Sequence, residues 1–206
     1  MSPLRPLVVA AVLGVPACTP PPDPPRDPND LPLLGTKPLA PLPKVAFTMP
    51  DTRGEPFDFR AETDGKVALL FFGYTYCPDV CPTTLQSLVS VEDRLGPEDD
   101  VRVVFVSVDP ARDDVARMAR YVAFFDPAYL GVTGDPEQLG VLTRAVGAYN
   151  AAQPPEPGAE GYLVDHASSL FLVGPDARLH AILDEPERAD AFVDAVRRIQ
   201  AIDRSS

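Results

Sequence analysis

Positive charge is scarce in this sequence and is nowhere concentrated. The 206 residues include 18 lysines and arginines against 30 aspartates and glutamates, which gives a formal net charge of −12. Because no Lys/Arg-rich run offsets this charge, we do not expect the protein to bind the phosphate backbone of a nucleic acid. An acidic surface instead favours encounters with cationic or metal-bearing partners.

Long hydrophobic runs are also missing near the N-terminus. The apolar segment 7–15 follows Arg5 and is too short to span a bilayer. Small residues then precede Cys18, so residues 1–17 resemble a bacterial lipoprotein signal that is cleaved to leave Cys18 as the lipid-modified end. Pro16 departs from the usual pattern, and an ordinary secretory signal is the alternative. Both interpretations export the domain, and the first predicts a membrane-anchored lipoprotein on the extracytoplasmic side of the bacterial cell envelope.

Cysteine is scarce as well, with three residues in the whole chain. If Cys18 carries lipid, only Cys77 and Cys81 remain, and they are close neighbours in the segment CPDVC. A disulfide stabilises mainly by closing a long loop, so a bridge between these two would contribute little. The pair therefore predicts chemistry rather than a structural bridge.

Proline is abundant, and it is concentrated between Cys18 and the folded domain. Residues 18–43 form a Pro-rich linker that cannot easily adopt helix or sheet, and we expect it to act as an extended spacer. Residues 44–206 follow as one domain, in which we find no internal repeat.

Apolar strands alternate with segments of helical spacing along this domain. Hairpins are predicted over 45–59 and 169–183, strands over 66–73, 101–108 and 130–133, and a loop over 151–160. Helices are predicted over 83–95, 113–125, 135–147 and 186–202, with Asp113 and Asp135 as N-caps of the second and third. We therefore expect the α/β class and a thioredoxin-like fold, with a central mixed sheet flanked by helices and an added N-terminal β-hairpin.

The cysteine pair lies between a predicted strand and a predicted helix. Near a helix N-terminus, partial positive charge and free N–H groups favour thiolate over thiol. Two such sulfurs can form a redox pair or hold a soft metal. The CxxxC spacing is wider than the CxxC of a thioredoxin, which suits a metal, but spacing alone leaves both functions open.

Histidine is the rarest metal-ligating residue type, with two in the chain. His166, in the segment VDHAS, precedes a predicted strand in a loop that could fold over the cysteines, and Cys2His suits copper in either oxidation state. An ordinary loop residue is the alternative for His166. His180 alternates with Arg178 on a predicted strand, which indicates a surface position.

Four segments together resemble one known family in order and spacing. They are FFGYTYCPDVCPTTL (71–85), SVDPARD (107–113), GVTGDPEQL (131–139) and YLVDHASSLFLVGPDARL (162–179). On these motifs, residues 45–200 resemble the SCO/SenC family. The resemblance implies a thioredoxin-like fold and copper, as Cu(I), Cu(II) or both, bound by Cys77, Cys81 and His166.

One family position and three acidic residues near these motifs need comment. Tyr76 stands where many members of the family have a histidine that is not a ligand, so any tuning role of that histidine is in doubt here. Asp79 could hydrogen-bond the start of the helix or simply form a turn after Pro78. Asp109 could support the site at the sheet edge, and Asp165 could orient His166 through its other ring nitrogen.

The resemblance implies a copper metallochaperone that builds the binuclear copper site of cytochrome c oxidase subunit II. The expected partners are that subunit, other periplasmic copper chaperones or thiol reductases, and the membrane through a lipidated Cys18. The alternative is a thiol–disulfide oxidoreductase that uses Cys77 and Cys81 as a redox pair. A peroxidase is a weaker third candidate, because the sequence lacks the peroxiredoxin-type arrangement of Pro and Thr upstream of a single attacking cysteine. We do not expect a classical enzyme, since no general acid or base beyond the thiols is evident.

Overall fold

Strands and helices alternate in the computed structural model of the chain, which describes residues 44–96, 99–155, 161–184 and 189–201. The strands are β1 (Thr48–Pro50), β2 (Pro56–Asp58), β3 (Val67–Gly73), β4 (Val101–Ser107), β5 (Leu130–Val132), β6 (Asn150–Ala152), β7 (Val164–His166), β8 (Leu170–Val173) and β9 (Leu179–Leu183). The helices are α1 (Phe59–Glu62), α2 (Val80–Glu92), α3 (Val115–Phe125), α4 (Pro136–Val146) and α5 (Ala189–Gln200). The predicted signal and linker, with Cys18, lie outside the described residues. No helix of the described part is long and apolar enough to cross a membrane.

The two long apolar runs of the sequence form the centre of a five-stranded sheet. β3 and β4 pair in parallel, with Val67 opposite Val101 and Gly73 opposite Ser107. The strand order is β5-β4-β3-β8-β9. β5 pairs in parallel with β4, β8 pairs antiparallel with β3, and β9 pairs antiparallel with β8. The predicted mixed sheet is therefore confirmed. Parallel pairing brings the carboxyl ends of β3 and β4 to one edge.

Both faces of this sheet are covered, because β3 is buried along its whole length. Alternate side chains of a strand point to opposite faces. Leu69 and Phe71 pack with α2, α3 and α5, whereas Leu70 and Phe72 pack with α4 and the hairpin of β1 and β2. Helices on both faces and the added N-terminal hairpin make this the predicted thioredoxin-like fold.

Helix α2 begins earlier than the sequence predicted, at Val80 rather than Thr83. Cys81 therefore lies inside the first helical turn, with Pro82 beside it. The first-turn N–H groups of a helix have no intrahelical partner, so a proline is tolerated there and does not mark the first residue. The cysteines are thus separated by the helix start itself.

The predicted N-cap of α3 was wrong by one residue. Asp114 is the cap, and its carboxylate accepts a hydrogen bond from the N–H of Arg117 at 2.7 Å. Asp113 turns into the protein instead and is almost fully buried. Adjacent aspartates have the same intrinsic capping preference, so only the tertiary surroundings separate them.

A small two-stranded sheet was not predicted. β6 pairs antiparallel with β7, with Asn150 opposite His166, although residues 151–160 and His166 were both expected in loops. Strands of three residues carry too little periodicity to identify from sequence. Residues 156–160 lie outside the described part, as do 186–188 and 202 of the predicted closing helix.

Helix α4 follows the sequence prediction at both ends. Asp135 caps it by accepting from the N–H of Glu137 at 2.8 Å, and Pro136 is its first residue. Gly147 ends it with a left-handed backbone, at φ +72°. Each signal is local, which is why the sequence was sufficient here.

Two alanine substitutions in α4 should have opposite effects on stability. Gly140→Ala should raise the free energy of unfolding by about 0.5–1 kcal/mol, because an interior helical glycine costs conformational entropy. Its new Cβ would meet only the flexible end of the Arg144 side chain, at 3.2 Å. Gly147→Ala should lower the free energy of unfolding by about 1–2 kcal/mol, because alanine is strained in the left-handed region. Urea denaturation of the two variants measures both changes in the free energy of unfolding. If Gly147→Ala stabilised the protein as Gly140→Ala does, the assigned C-cap would be wrong.

Candidate metal centre

The chain leaves the carboxyl end of β3 through a short turn that carries Cys77. The N–H of Val108 donates to the carbonyl of Gly73 at 2.8 Å, so the strand remains tied to β4 up to its last residue. The N–H of Cys77 then donates to the carbonyl of Tyr74 at 3.1 Å, which closes the turn. Cys77 is therefore held at the sheet edge where sites gather in α/β folds.

Cys81 is fully buried, and its sulfur lies directly against the backbone of β3. A Cβ at position 73 would lie 2.6 Å from Cys81 Sγ and 2.6 Å from the ring of Phe105. No side chain fits in that space, so glycine is required at position 73. Because position 73 is a glycine, the first turn of α2 packs onto the end of β3 more closely than a residue with a Cβ would allow.

The sulfur of Cys77 accepts a hydrogen bond from the N–H of Cys81 at 3.4 Å, at the N-terminus of α2. The pKa of Cys77 is lowered to about 4, first by the hydrogen bond from the Cys81 thiol and further by His166 and the N–H groups of Cys81 and Asp79, against the effect of burial. The same thiol contact and burial raise the pKa of Cys81. The reduced pair is therefore one thiolate and one thiol, and neither cysteine is in a disulfide.

His166 reaches the cysteines from β7, and its ring orientation is fixed on both sides. Nδ1 lies 3.0 Å from the carbonyl oxygen of Ala167, and Nε2 lies 3.5 Å from Cys81 Sγ. Since a carbonyl can only accept, Nδ1 carries the proton of that hydrogen bond and Nε2 faces the sulfurs. Burial alone lowers the pKa of His166, but the contacts with Cys77 and the Ala167 carbonyl outweigh it and raise the pKa.

Two aromatic rings hold the imidazole edge-on. The ring of Tyr74 lies 5.7 Å from that of His166 at an interplanar angle of 84°, and the ring of Phe71 lies at 6.3 Å and 74°. The hydroxyl of Tyr74 accepts a hydrogen bond from the N–H of Val164 at 3.3 Å, which attaches β7 to the cysteine turn. Tyr74 was not among the residues predicted from the sequence, although its place directly after the buried strand was a usable signal.

The structure brings together all three residues that the sequence predicts as ligands. Cys77 Sγ, Cys81 Sγ and a ring nitrogen of His166 lie within 4.8 Å of one another. They are the one such group among the residues that the structure describes. Two sulfurs and an imidazole nitrogen are soft donors, which suit copper or zinc better than magnesium or calcium.

The other sequence candidates lie away from the three donors or act through other residues. His180 Nε2 donates to Asp176 Oδ1 at 2.9 Å and its side chain is 15% exposed, so it is more enclosed than the predicted surface position. The side chain of Asp79 makes no hydrogen bond at the helix start. Asp165 is exposed and pairs with Gln153, so the carbonyl of Ala167, not Asp165, orients His166.

Asp109 is buried beside the site and supports the segment that leads to His166. It accepts a hydrogen bond from the hydroxyl of Tyr162 at 2.7 Å and an ion pair from Arg112. The guanidinium of Arg112 also lies 3.7 Å from the centre of the Tyr162 ring and 5.0 Å from that of Tyr76. Tyr76 therefore packs on a cation at the rim and supplies no donor to the three-residue group.

Comparison with known proteins identifies the family. A family model described as SCO1/SenC matches residues 38–201. The chain is 39% identical over 155 residues to the mouse "Protein SCO2 homolog, mitochondrial", covering 74% of this chain and 60% of that protein. The chain therefore spans about three fifths of the length of that relative.

Solved structures of two bacterial proteins are similar to this one over most of the chain. Copper-bound ScoI of Bradyrhizobium japonicum is 33% identical, with a TM-score of 0.66 over 76% of this chain and 98% of that one. Apo Sco1 of Thermus thermophilus is 36% identical, with a TM-score of 0.69 over 79% and 94%. Since sequence model, relative and fold agree across the same residues, this chain belongs to the SCO1/SenC family.

Proposed function

We propose that this protein is a copper metallochaperone that supplies or prepares the binuclear copper site of cytochrome c oxidase subunit II. The observation that carries the proposal is the convergence of Cys77, Cys81 and His166 within 4.8 Å at one edge of the sheet. Copper is then cargo, held by two sulfurs and one imidazole nitrogen. The copper-bound structure of the similar Bradyrhizobium japonicum protein supports the choice of ion.

The donor set fits copper in both oxidation states. Thiolates suit Cu(I), and an imidazole helps to hold Cu(II). Nε2 of His166 faces the sulfurs because Nδ1 is engaged by the Ala167 carbonyl, so the ring needs no rotation to coordinate. A hydrogen bond at the distal nitrogen of this kind also fixes the ring and raises the basicity of the ligand.

The exposure of the donors suits transfer rather than permanent storage. Cys77 and His166 are each only partly buried, whereas Cys81 is enclosed. A partner's ligands can therefore approach the ion from the side of Cys77 and His166. We infer that the signal at 1–17 exports the domain and that a lipidated Cys18 then holds it at the extracytoplasmic membrane face, where an oxidase subunit and other copper chaperones or thiol reductases are within reach.

Copper binding should depend on one histidine and not on the other. In the reduced chain carrying Cys18→Ser, about one copper should bind, and His166→Ala should weaken Cu(II) binding by more than about 100-fold, because losing a ligand exceeds the 10–100-fold cost of losing an outer-shell partner. Cu(I) binding should fall less, since both sulfurs remain. His180→Ala is the matched control, and competition titration against a chelator gives the affinities. Equal Cu(II) affinities for the two variants would remove His166 from the site.

Delivery is tested with the soluble copper domain of an oxidase subunit II. When that domain, with its thiols reduced, is mixed with the copper-loaded chaperone, the copper content of the domain after separation should rise as copper leaves Cys77 and Cys81. The control is the same total concentration of copper bound to a small chelator whose affinity for copper equals that of the chaperone. A transfer no faster than from the chelator would contradict delivery by this protein.

The thiol–disulfide oxidoreductase is kept as a second candidate because the two sulfurs differ in accessibility. The partly exposed Cys77, whose pKa is lowered to about 4, can attack a partner disulfide, and the buried Cys81 can then resolve the mixed disulfide. The two functions use the same sulfurs and are compatible with one partner.

Alkylation measures the thiolate on which this candidate depends. In the reduced, metal-free Cys18→Ser chain, the rate of Cys77 modification by iodoacetamide should be nearly constant from pH 9 to pH 6 and fall by half near pH 4, because the pKa of Cys77 is lowered to about 4. Free cysteine, with its pKa of about 8.5, loses about tenfold per pH unit below that value and serves as the reference. In the Cys77→Ser variant, the buried Cys81 should react slowly. A midpoint near pH 9 for the rate of Cys77 modification would contradict the assignment of Cys77 as the thiolate.

A further inference from the structure

Asp113 is a buried carboxylate that the copper ligands do not explain. Its side chain is 1% exposed. Oδ1 accepts a hydrogen bond from Thr75 Oγ1 at 2.6 Å, and Oδ2 accepts from Thr75 N at 3.1 Å and from Ser107 Oγ at 2.7 Å. Burying a carboxylate is costly unless it is hydrogen-bonded, so the buried position of Asp113 depends on these hydrogen bonds.

The partners of Asp113 connect the cysteine turn to the sheet. Thr75 stands two residues before Cys77, and Ser107 is the last residue of β4, opposite Gly73. The backbone carbonyl of Asp113 itself accepts from Thr133 Oγ1 at 2.6 Å, just beyond β5. Asp113 therefore joins the turn that carries Cys77 to the carboxyl ends of two neighbouring parallel strands.

These contacts require both oxygens to act as acceptors. Each of the three groups that approach is used as a donor, namely the N–H and hydroxyl of Thr75 and the hydroxyl of Ser107. An asparagine has the same size but places an NH2 group where one oxygen was. In Asp113→Asn only one oxygen remains, so the Thr75 or Ser107 hydroxyl that faces the NH2 group has to reverse and accept, and the charge-assisted hydrogen bonds of the carboxylate are replaced by weaker neutral ones.

We propose that Asp113 is a positioning residue for the copper site, an inference that rests on the proposed function. Two of its three donor groups belong to Thr75, so most of its hydrogen bonding holds the turn rather than the strands. With Thr75 fixed, the turn closed by the Cys77 N–H and the Tyr74 carbonyl keeps Cys77 Sγ beside the N-terminus of α2. Outer-shell partners of this kind typically change metal affinity by about 10–100-fold.

The matched control is Asp176→Asn. Asp176 is an equally enclosed carboxylate, 4% exposed, which accepts from the N–H of Arg178 at 3.0 Å and contacts His180 at the turn between β8 and β9. It contacts none of the three donors of the copper site. Both substitutions remove one acceptor from a buried aspartate, so both should destabilise the fold, and only Asp113→Asn should change the site.

The first measurement needs no copper. In the reduced, metal-free chain carrying Cys18→Ser, Asp113→Asn should speed amide hydrogen exchange at Thr75 and Cys77 beyond the change seen at core amides of β3, because the turn opens locally. Asp176→Asn should leave the exchange of those two amides unchanged relative to the core. Exchange at Thr75 and Cys77 that only follows the global loss of stability in both variants would overturn the proposal.

The second measurement is Cu(I) affinity, again in the Cys18→Ser chain. Asp113→Asn should lower it about 10–100-fold and shift the thiolate charge-transfer bands of the Cu(II) form, whereas Asp176→Asn should change neither. If the unsubstituted chain binds no copper, the proposed function fails, while the exchange experiment still decides the role of Asp113. If that chain binds copper and Asp113→Asn binds it equally well, the positioning role is wrong.

Thr75 offers a test that leaves Asp113 itself in place and removes one of its donors. Thr75→Val removes the hydroxyl and should lower Cu(I) affinity in the same direction, and Thr75→Ser keeps the hydroxyl and should restore it. Combining Thr75→Val with Asp113→Asn should cost less than the sum of the two changes, because both break the same contact. Additive losses in the double variant would contradict an action of Asp113 through Thr75. If Asp113→Asn does not fold, the difference between Thr75→Val and Thr75→Ser decides the question.

Discussion

The sulfur of Cys81 occupies the space in which any residue other than glycine at position 73 would carry its Cβ. This contact sets how closely α2 meets the end of β3, and the rest of the site follows from that distance. Because the helix begins there, its free N–H groups lie beside the turn, and the sulfur of Cys77 takes one of them as a hydrogen-bond partner. One close approach of backbone to sulfur thus separates a thiolate at the rim from a thiol in the core.

The three donors come from elements that the sheet holds independently. Cys81 belongs to a helix, Cys77 to a turn fastened by Asp113, and His166 to the ribbon of β6 and β7, which Tyr74 ties back to the turn. Holding ligands in place before the ion arrives avoids the entropy of ordering them on binding. The aromatic rings around His166 and the hydrogen bond to Ala167 serve the same purpose for the orientation of the imidazole.

The fold was predictable where the signals are local or long. β3 and β4 are continuous apolar runs, and α4 carries Asp135, Pro136 and Gly147 at its ends, so each was found correctly. Cysteines and histidines are few, which limited the candidate ligands, and the resemblance of four motifs to the SCO/SenC family then implied the full set. Their supports were not, since Asp113 and Asp114 look alike until burial separates them, and the partner of His166 is a main-chain carbonyl that no residue type reveals. The pairing of β6 with β7 could not be predicted, because both strands are short and they are separated in the sequence.

The unequal burial of the donors gives the site an open side and a closed side. His166 is carried by a ribbon of two three-residue strands, which pair with each other and are not part of the five-stranded sheet. Cys77 lies on a turn and is reachable from outside, but Cys81 cannot move without disturbing the packing between α2 and β3. The three donors therefore form a one-sided site, whose outer wall is a turn and a short ribbon and whose floor is the junction of a helix with the central strand.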